Sequence, residues 1–238
     1  MRIDCISNIS ETFGQEVIGK TVFVIDVLRA TSTMVAALSA GARSIVPVET
    51  VAQAKQAAAE DDLLAGERQC KKIPGFALGN SPLEFTEAAV KGKRIVMTTT
   101  NGTRGIQKAS KAATVLAGSL LNAKACARAA LQLRRDVVLL CAGTQDVFAL
   151  EDGLCAGLIV KEIKALAKDV ATDDLGMALE GSFRAYEDRL EEALLACESG
   201  RRLTSLGMKA DVAYCARSNT HELVPALSGK EMRPFEFR

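Results

Sequence analysis

Asp26 directly follows the apolar run VFVI and opens the loop VLRATST, which carries Arg29, Thr31, Ser32 and Thr33. A carboxylate fixed at the end of a buried strand can serve as a nucleophile or a metal ligand, and it can as well cap a helix or pair with Arg29. The loop favours chemistry. Arg29 offers a fork of donors suited to phosphate or sulfonate, while Thr31, Ser32 and Thr33 place hydroxyls and free N–H groups at a helix start, which together make an anion cradle. A second cradle follows the run RIVM, where Thr99, Thr100, Asn101, Gly102 and Thr103 form TTTNGT. This segment predicts a tight turn with positive φ at Asn101 or Gly102 and aligned backbone donors, against the plainer reading of a polar turn that satisfies its own backbone. Arg104 stands beside it, to join the anion site or to be solvated.

Two more acidic clusters are candidates. Glu67 and Arg68 could supply a metal carboxylate and an anion clamp, or form a surface ion pair. Glu151 and Asp152 open the helix after the strand VVLLC. There they gain from the helix N-terminus, by about 0.3–1 kcal/mol, or one of them completes an oxygen-rich Mg²⁺ site with Asp26, since Mg²⁺ is held by one or two carboxylates plus substrate oxygens and water.

Other chemistries are excluded. The single histidine, His221, rules out HExxH zinc sites and paired-His catalysis, and its tail position marks it as a surface or capping residue. Seven cysteines, an odd number without a CxxC pair, argue against a disulfide framework and a zinc site and are expected as reduced thiols. Cys141 ends a strand, but Val147 stands where a cysteine phosphatase needs its arginine. Neither GxGxxG nor GxxxxGK[ST] occurs.

These residues need a rigid frame. Thr21 to Ile25, Ser44 to Val48, Arg94 to Met97 and Asp136 to Cys141 are short runs apolar on both faces, as in a buried parallel sheet. Ala-rich helical segments lie between them, with capping boxes expected at Thr50 with Gln53 and at Ser81 with Glu84, and with Gly41 and Gly118 at element ends where positive φ is cheap. The alternation predicts an α/β fold: three α/β/α layers around a largely parallel or mixed sheet, with ligands at the carboxyl ends of the strands. Two strands each lead into a Thr/Ser-rich turn and a small-residue helix, a weak echo compatible with an internal duplication. The stretch from Gly66 to Ser81 lacks periodicity and suits a lid or binding loop. The pattern changes near residue 170. An amphipathic helix is expected from Tyr186 to Cys197, a short one over Gly200 to Leu206, and a final hairpin turning at Ser228-Gly229. This tail reads as structural, a cap on the sheet or a homo-oligomer contact.

With 238 residues, 48% hydrophobic, 25% charged and a net charge of +1, the chain predicts one globular domain over 1–238. It has no global field for nucleic acid or an anionic membrane, and neither a spanning segment nor a signal peptide, so a cytoplasmic location is expected.

VFVIDVLRATST, AGER, LGNSP, TTTNGT, CAG and FALEDGLCAG, in this order and spacing, resemble the 2-phosphosulfolactate phosphatase family from about Val22 to Ala156, and more weakly as far as VPAL. The resemblance implies a Mg²⁺-dependent acid phosphatase that hydrolyses (2R)-2-phospho-3-sulfolactate to 3-sulfolactate and phosphate, a step that in methanogens serves coenzyme M synthesis. It adds Asn80 and Ser81 of LGNSP to the substrate-binding set. The substrate, a small anionic phosphoester bearing a carboxylate and a sulfonate, calls for concentrated positive charge, which Mg²⁺ with Arg29, Arg68 and Arg104 would supply. Asp26 either attacks phosphorus or holds the metal whose water attacks. Leu28 replaces the second Asp of the familiar DxD phosphatases, so the leaving group needs another source of stabilisation. The competing readings are a non-catalytic organophosphate binder and another enzyme of phosphorylated three-carbon acids, such as a lyase.

Overall fold

The four β-branched runs all form strands. The computed structural model describes residues 1–12 and 14–237. Among them, β1 (Arg2–Ile6), β2 (Thr21–Ile25), β3 (Ser44–Val48), β4 (Leu63–Arg68), β5 (Lys71–Lys72), β6 (Arg94–Thr98), β7 (Thr114–Gly118), β8 (Val137–Cys141), β9 (Ala171–Thr172), β10 (Pro225–Ser228) and β11 (Glu231–Pro234) join one mixed sheet. Its order is β5-β4-β6-β3-β11-β10-β7-β2-β8-β1-β9. The helices are α1 (Ala30–Ser39), α2 (Val51–Ala57), α3 (Glu87–Val90), α4 (Gly102–Lys108), α5 (Ala123–Leu133), α6 (Leu150–Leu166), α7 (Asp174–Tyr186), α8 (Leu190–Ala196), α9 (Glu198–Ser205) and α10 (Lys209–Cys215).

Both faces of the sheet are covered, so each strand is apolar on both sides and its side chains alternate between two cores. Val22, Val24, Val138 and Leu140 face Met34 and Leu38 of α1 and Ile106 of α4. Phe23, Ile25, Leu139 and Cys141 face α5, α6 and α7 through residues such as Cys126, Ile159 and Phe183. A smaller core forms where Val46 and Val96 meet Ala54, Ile73 and Phe76. Helix α7 approaches α6 closely because Gly157 lacks a side chain: a Cβ there would lie 2.1 Å from the Leu179 carbonyl oxygen.

The sheet contains two parallel groups. In one, β4, β6 and β3 run together; in the other, β7, β2, β8, β1 and β9 do. The chain exchanges twice between them. It leaves β2, crosses by way of α1 and enters β3, and later leaves β6, crosses by way of α4 and enters β7. Helices α1 and α4 thus share the core between the groups, and the sheet wraps around them until the ends of β2 and β6 meet. At that meeting point a Cβ on Gly102 would lie 2.8 Å from Asp26 Oδ2.

The tail is not a cap. The hairpin of β10 and β11 lies in the middle of the sheet, antiparallel to β7 on one side and β3 on the other. Both groups would otherwise present an open edge, and the hairpin fills the gap with Met232 fully buried. Its turn is Gly229-Lys230, one residue later than expected, because Ser228 pairs with Glu231. Glu231 anchors this insert: its Oε2 accepts from Arg233 Nη2 at 2.7 Å and its Oε1 from Arg94 Nε of β6 at 2.9 Å. Arg233, and Arg94 with it, hold the Glu231 carboxyl at about 2, down from an ordinary 4.5. A carboxyl with a depressed folded-state pKa stabilises the fold above its unfolded value and loses that contribution as pH falls through the folded one. Glu231→Gln is therefore expected to lower Tm at pH 7, with the gap from the parent closing between pH 4.5 and about 2. Thermal melts across that range test it, and a gap that persists at the acid end would contradict it.

Several local expectations need correction. The Thr50–Gln53 capping box forms, but Ser81 makes no cap bond to the short 3₁₀ turn Pro82–Glu84. Its hydroxyl donates instead to Asp211 Oδ1 at 2.7 Å, and Glu84 accepts from the Gly79 N–H at 2.7 Å. Gly41 has φ +89°, whereas Gly118 is not in the left-handed region and is small because Ile159 Cδ1 would lie 3.1 Å from its Cβ. The helix expected from Tyr186 to Cys197 is divided: α7 ends at Tyr186, a 3₁₀ turn covers Glu187–Arg189, and α8 follows. Arg189, with φ −143° and ψ 40°, makes the break.

Candidate active site

The carboxyl ends of β2, β4 and β6 converge on a cleft of about 190 Å³, lined among others by Asp26, Arg29, Glu67, Arg68, Asn80, Thr99, Thr100 and Asn101. Asp26 lies at the point where the two crossovers meet. Its Oδ1 accepts the Ala30 N–H at 3.2 Å, and the Gly102 N–H also donates to its carboxylate. Burial, with Glu67 and Glu151 nearby, pushes the Asp26 carboxyl up to about 7. TTTNGT forms no left-handed turn. Asn101 has φ −120° and Gly102 is not in the left-handed region. Gly102 is required for closeness: a Cβ would lie 2.5 Å from that of Ala30.

The first loop spends its hydroxyls on backbone carbonyls. Thr31 Oγ1 donates to the Asp26 carbonyl at 2.9 Å, Ser32 Oγ to that of Val27 at 2.8 Å, and Thr33 Oγ1 to that of Asn80 at 2.9 Å. All three residues are buried outside the cleft wall. In the second, Thr103 Oγ1 donates to the Thr99 carbonyl at 3.0 Å and the Thr103 N–H to Thr99 Oγ1 at 3.2 Å. This closes the start of α4 and leaves Thr99, Thr100 and Asn101 on the wall.

The carboxylates divide into two tiers. Asp26 and Glu67 line the cleft; Glu151 and Asp152 lie behind it, both buried. Glu67 Oε1 accepts the Thr100 N–H at 2.9 Å and Oγ1 at 2.8 Å, and Oε2 accepts the Cys70 N–H at 2.7 Å. Asp152 ties two strand ends together: Oδ1 accepts the Val27 N–H at 2.8 Å and Oδ2 the Gly143 N–H at 3.0 Å. Burial, next to Glu151 and Asp26, holds its carboxyl well above the usual range. Glu151 interacts with the Cys197 thiol, which burial pushes up to about 12.

The arginines are committed. Arg29 donates through Nη1 to Asp211 Oδ2 and through Nη2 to the Cys70 carbonyl at 3.0 Å. Arg68 donates to the carbonyls of Glu67 and Glu49 at 2.7 and 2.8 Å and to Thr98 Oγ1 at 2.9 Å. Arg104 is outside the wall, 3.7 Å from Asp146.

A family model described as 2-phosphosulpholactate phosphatase matches residues 8–230. The chain belongs to that family. Relatives named "probable 2-phosphosulfolactate phosphatase" include one from Symbiobacterium thermophilum, 44% identical over 218 residues that make up 90% of this chain and 94% of the relative. Others are one from Clostridium acetobutylicum, 37% identical over 98% of this chain and all of the relative, and one from Thermotoga maritima, 43% identical over 87% and 89%.

For this member of the 2-phosphosulpholactate phosphatase family, sequence reasoning missed a whole wall of the cleft, made by Glu198, Ser199, Arg202 and Leu203 of α9. It also missed Asp211 of α10, the partner of Arg29. The only sequence signal was the polar cluster ESGRR at a helix start. Gly200 places that wall, since a Cβ would lie 1.7 Å from the Leu194 carbonyl oxygen.

Among the described residues no three His, Cys, Asp or Glu side chains are arranged to hold a metal, so the cleft offers no all-protein cage. It does fit a hard cation that keeps substrate and water ligands. Asp26 and Glu67 bring negative charge to the wall, the buried Arg29 is already balanced by Asp211, and Asn80 Oδ1 is a buried oxygen without a partner.

Proposed function

We propose that this protein is a Mg²⁺-dependent phosphatase that hydrolyses (2R)-2-phospho-3-sulfolactate to 3-sulfolactate and phosphate. The observation that carries the reading is Asp26: a buried carboxyl raised to about 7, on the wall of a small cleft where two strand ends meet. The family and its relatives supply the substrate class. No described helix is long and apolar enough to cross a membrane, which agrees with a small polar substrate met in solution.

Asp26 and Glu67 are the residues that would hold Mg²⁺, with Asp152 and Glu151 behind them fixing the loops and the local charge. When bound, the ion supplies positive charge opposite the phosphoryl oxygens, the main requirement of phosphoryl transfer. Thr99, Thr100 and Asn101 orient the phosphoryl group from the wall. Gly102 sets the distance between α4 and Asp26, and Thr103 closes the turn. Thr31 and Ser32 hold Asp26 in place by bonding the loop to itself, and Thr33 ties the loop to the Asn80 carbonyl. Arg68 contributes fixed positive charge, and Arg29, balanced by Asp211, shapes the floor. Asn80 adds an amide, and Ser81 steadies Asp211.

Phosphate release from the sulfonated ester is expected with Mg²⁺ present, to fall by about 100-fold or more in EDTA, and to return when Mg²⁺ is restored in excess. No release from this or related phosphoesters would favour a binding protein instead; loss of the phosphoryl group by elimination would indicate a lyase.

A further inference from the structure

The cleft has three arginines on its wall, Arg29, Arg68 and Arg202, and they are not equivalent. Arg29 is only 3% exposed and paired with Asp211. Arg68 is fastened by two carbonyls and a threonine hydroxyl. Arg202 is exposed, and among the described residues its guanidinium has neither a side-chain hydrogen bond nor an ion pair with an acidic group. It is the wall arginine whose donors are all available. We propose that Arg202 is the specificity residue of the cleft, holding the anionic group of the substrate that is not transferred, a carboxylate or a sulfonate.

This inference rests on the phosphatase reading and adds to it the recognition of the second charge. A phosphoryl group at Asp26 and Thr99 to Asn101 leaves the remainder of a three-carbon acid to extend along the same small cleft, whose opposite wall is α9. Glu198 lines the same wall one helical turn before Arg202, so the anion's seat has a carboxylate beside the guanidinium. A guanidinium fork matches the oxygens of a carboxylate or sulfonate and forms charge-assisted bonds.

The test compares Arg202→Ala and Arg202→Lys with the parent on four esters: 2-phospho-3-sulfolactate, 2-phospholactate, the phosphate ester of 2-hydroxyethanesulfonate, and p-nitrophenyl phosphate. For Arg202→Ala, KM for the doubly functional ester is expected to rise about 10- to 100-fold with a much smaller change in kcat, the range of a lost charge-assisted bond. The ratio of its kcat/KM to that of p-nitrophenyl phosphate should fall by the same factor, and Arg202→Lys should lie between. Whichever of the two esters with a single non-transferred anionic group shows the loss identifies the group held. Equal losses on all four esters, or an unchanged KM, would overturn the proposal.

Calorimetric binding of 3-sulfolactate is read separately, because it needs no turnover. Weaker binding by Arg202→Ala supports the proposal, while absent binding by the parent or equal binding by both overturns it. If the parent binds 3-sulfolactate through Arg202 but releases no phosphate, the phosphatase reading falls and the recognition of the anion stands.

Discussion

Asp26→Asn is expected to lower kcat by about 10³-fold or more while leaving the protein folded, since losses of this size follow removal of a group that acts on the reacting centre. The substitution keeps size and shape, and the amide oxygen can still accept the Ala30 N–H, although the amide NH₂ cannot replace the acceptor that the Gly102 N–H loses. It removes the carboxylate that burial and its acidic neighbours already oppose, so the folded state loses an electrostatic cost. Tm measured in EDTA should therefore equal or exceed that of the parent, a trade of stability for activity found at sites built around unfavourable charge. Phosphate-release kinetics and a thermal melt on the same preparation check both halves. Retained activity would remove Asp26 from the mechanism; a collapsed melt would make it a structural residue.

Asp211→Ala is expected to be the most destabilising single change at the cleft. Asp211 is 6% exposed and its partner Arg29 3% exposed, so the variant leaves a guanidinium buried without its counter-charge and the Ser81 hydroxyl without its acceptor. Breaking one side of a buried pair costs about 3–5 kcal/mol, which for a domain of this size lowers Tm by roughly 10 °C. Denaturant unfolding measures the loss. Replacing both Arg29 and Asp211 by apolar residues of similar volume should recover much of it, because the penalty lies in the orphaned charge. A double variant as unstable as Asp211→Ala would locate the cost in packing instead.

The legible parts of the fold were those with uniform surroundings. β2, β3, β6 and β8 lie inside the sheet and are apolar on both faces, and each reads as a continuous run. β1, RIDCI, and the two-residue β9 lie near an edge, β4 carries Gly66 and Glu67, and β7, TVLAG, ends in the small residues Ala117 and Gly118; none produces a run of that kind. At the site, Asp26, Glu67 and Thr99 to Asn101 were legible because strand ends aim residues at a cleft. Thr31, Ser32 and Thr33 had the composition of an anion site, but the hydroxyls of Thr31 and Ser32 are consumed by their own loop's carbonyls and that of Thr33 by the Asn80 carbonyl. Asp211 left no local trace, since its role comes from its pair with Arg29, far away in sequence, and Arg202 left only the polar cluster ESGRR.

The hairpin in the centre of the sheet has a consequence for biosynthesis. It is built from Pro225–Ser228 and Glu231–Pro234, which follow every strand of both groups in sequence, yet it is the seam between the two groups. A polypeptide emerging from the ribosome can form either group from earlier residues, but it cannot join them until this segment has cleared the exit tunnel. Catalytic competence should therefore arrive only after this segment has emerged, and products terminated before it would expose two unzipped sheet margins, the kind of surface that chaperones and proteases recognise.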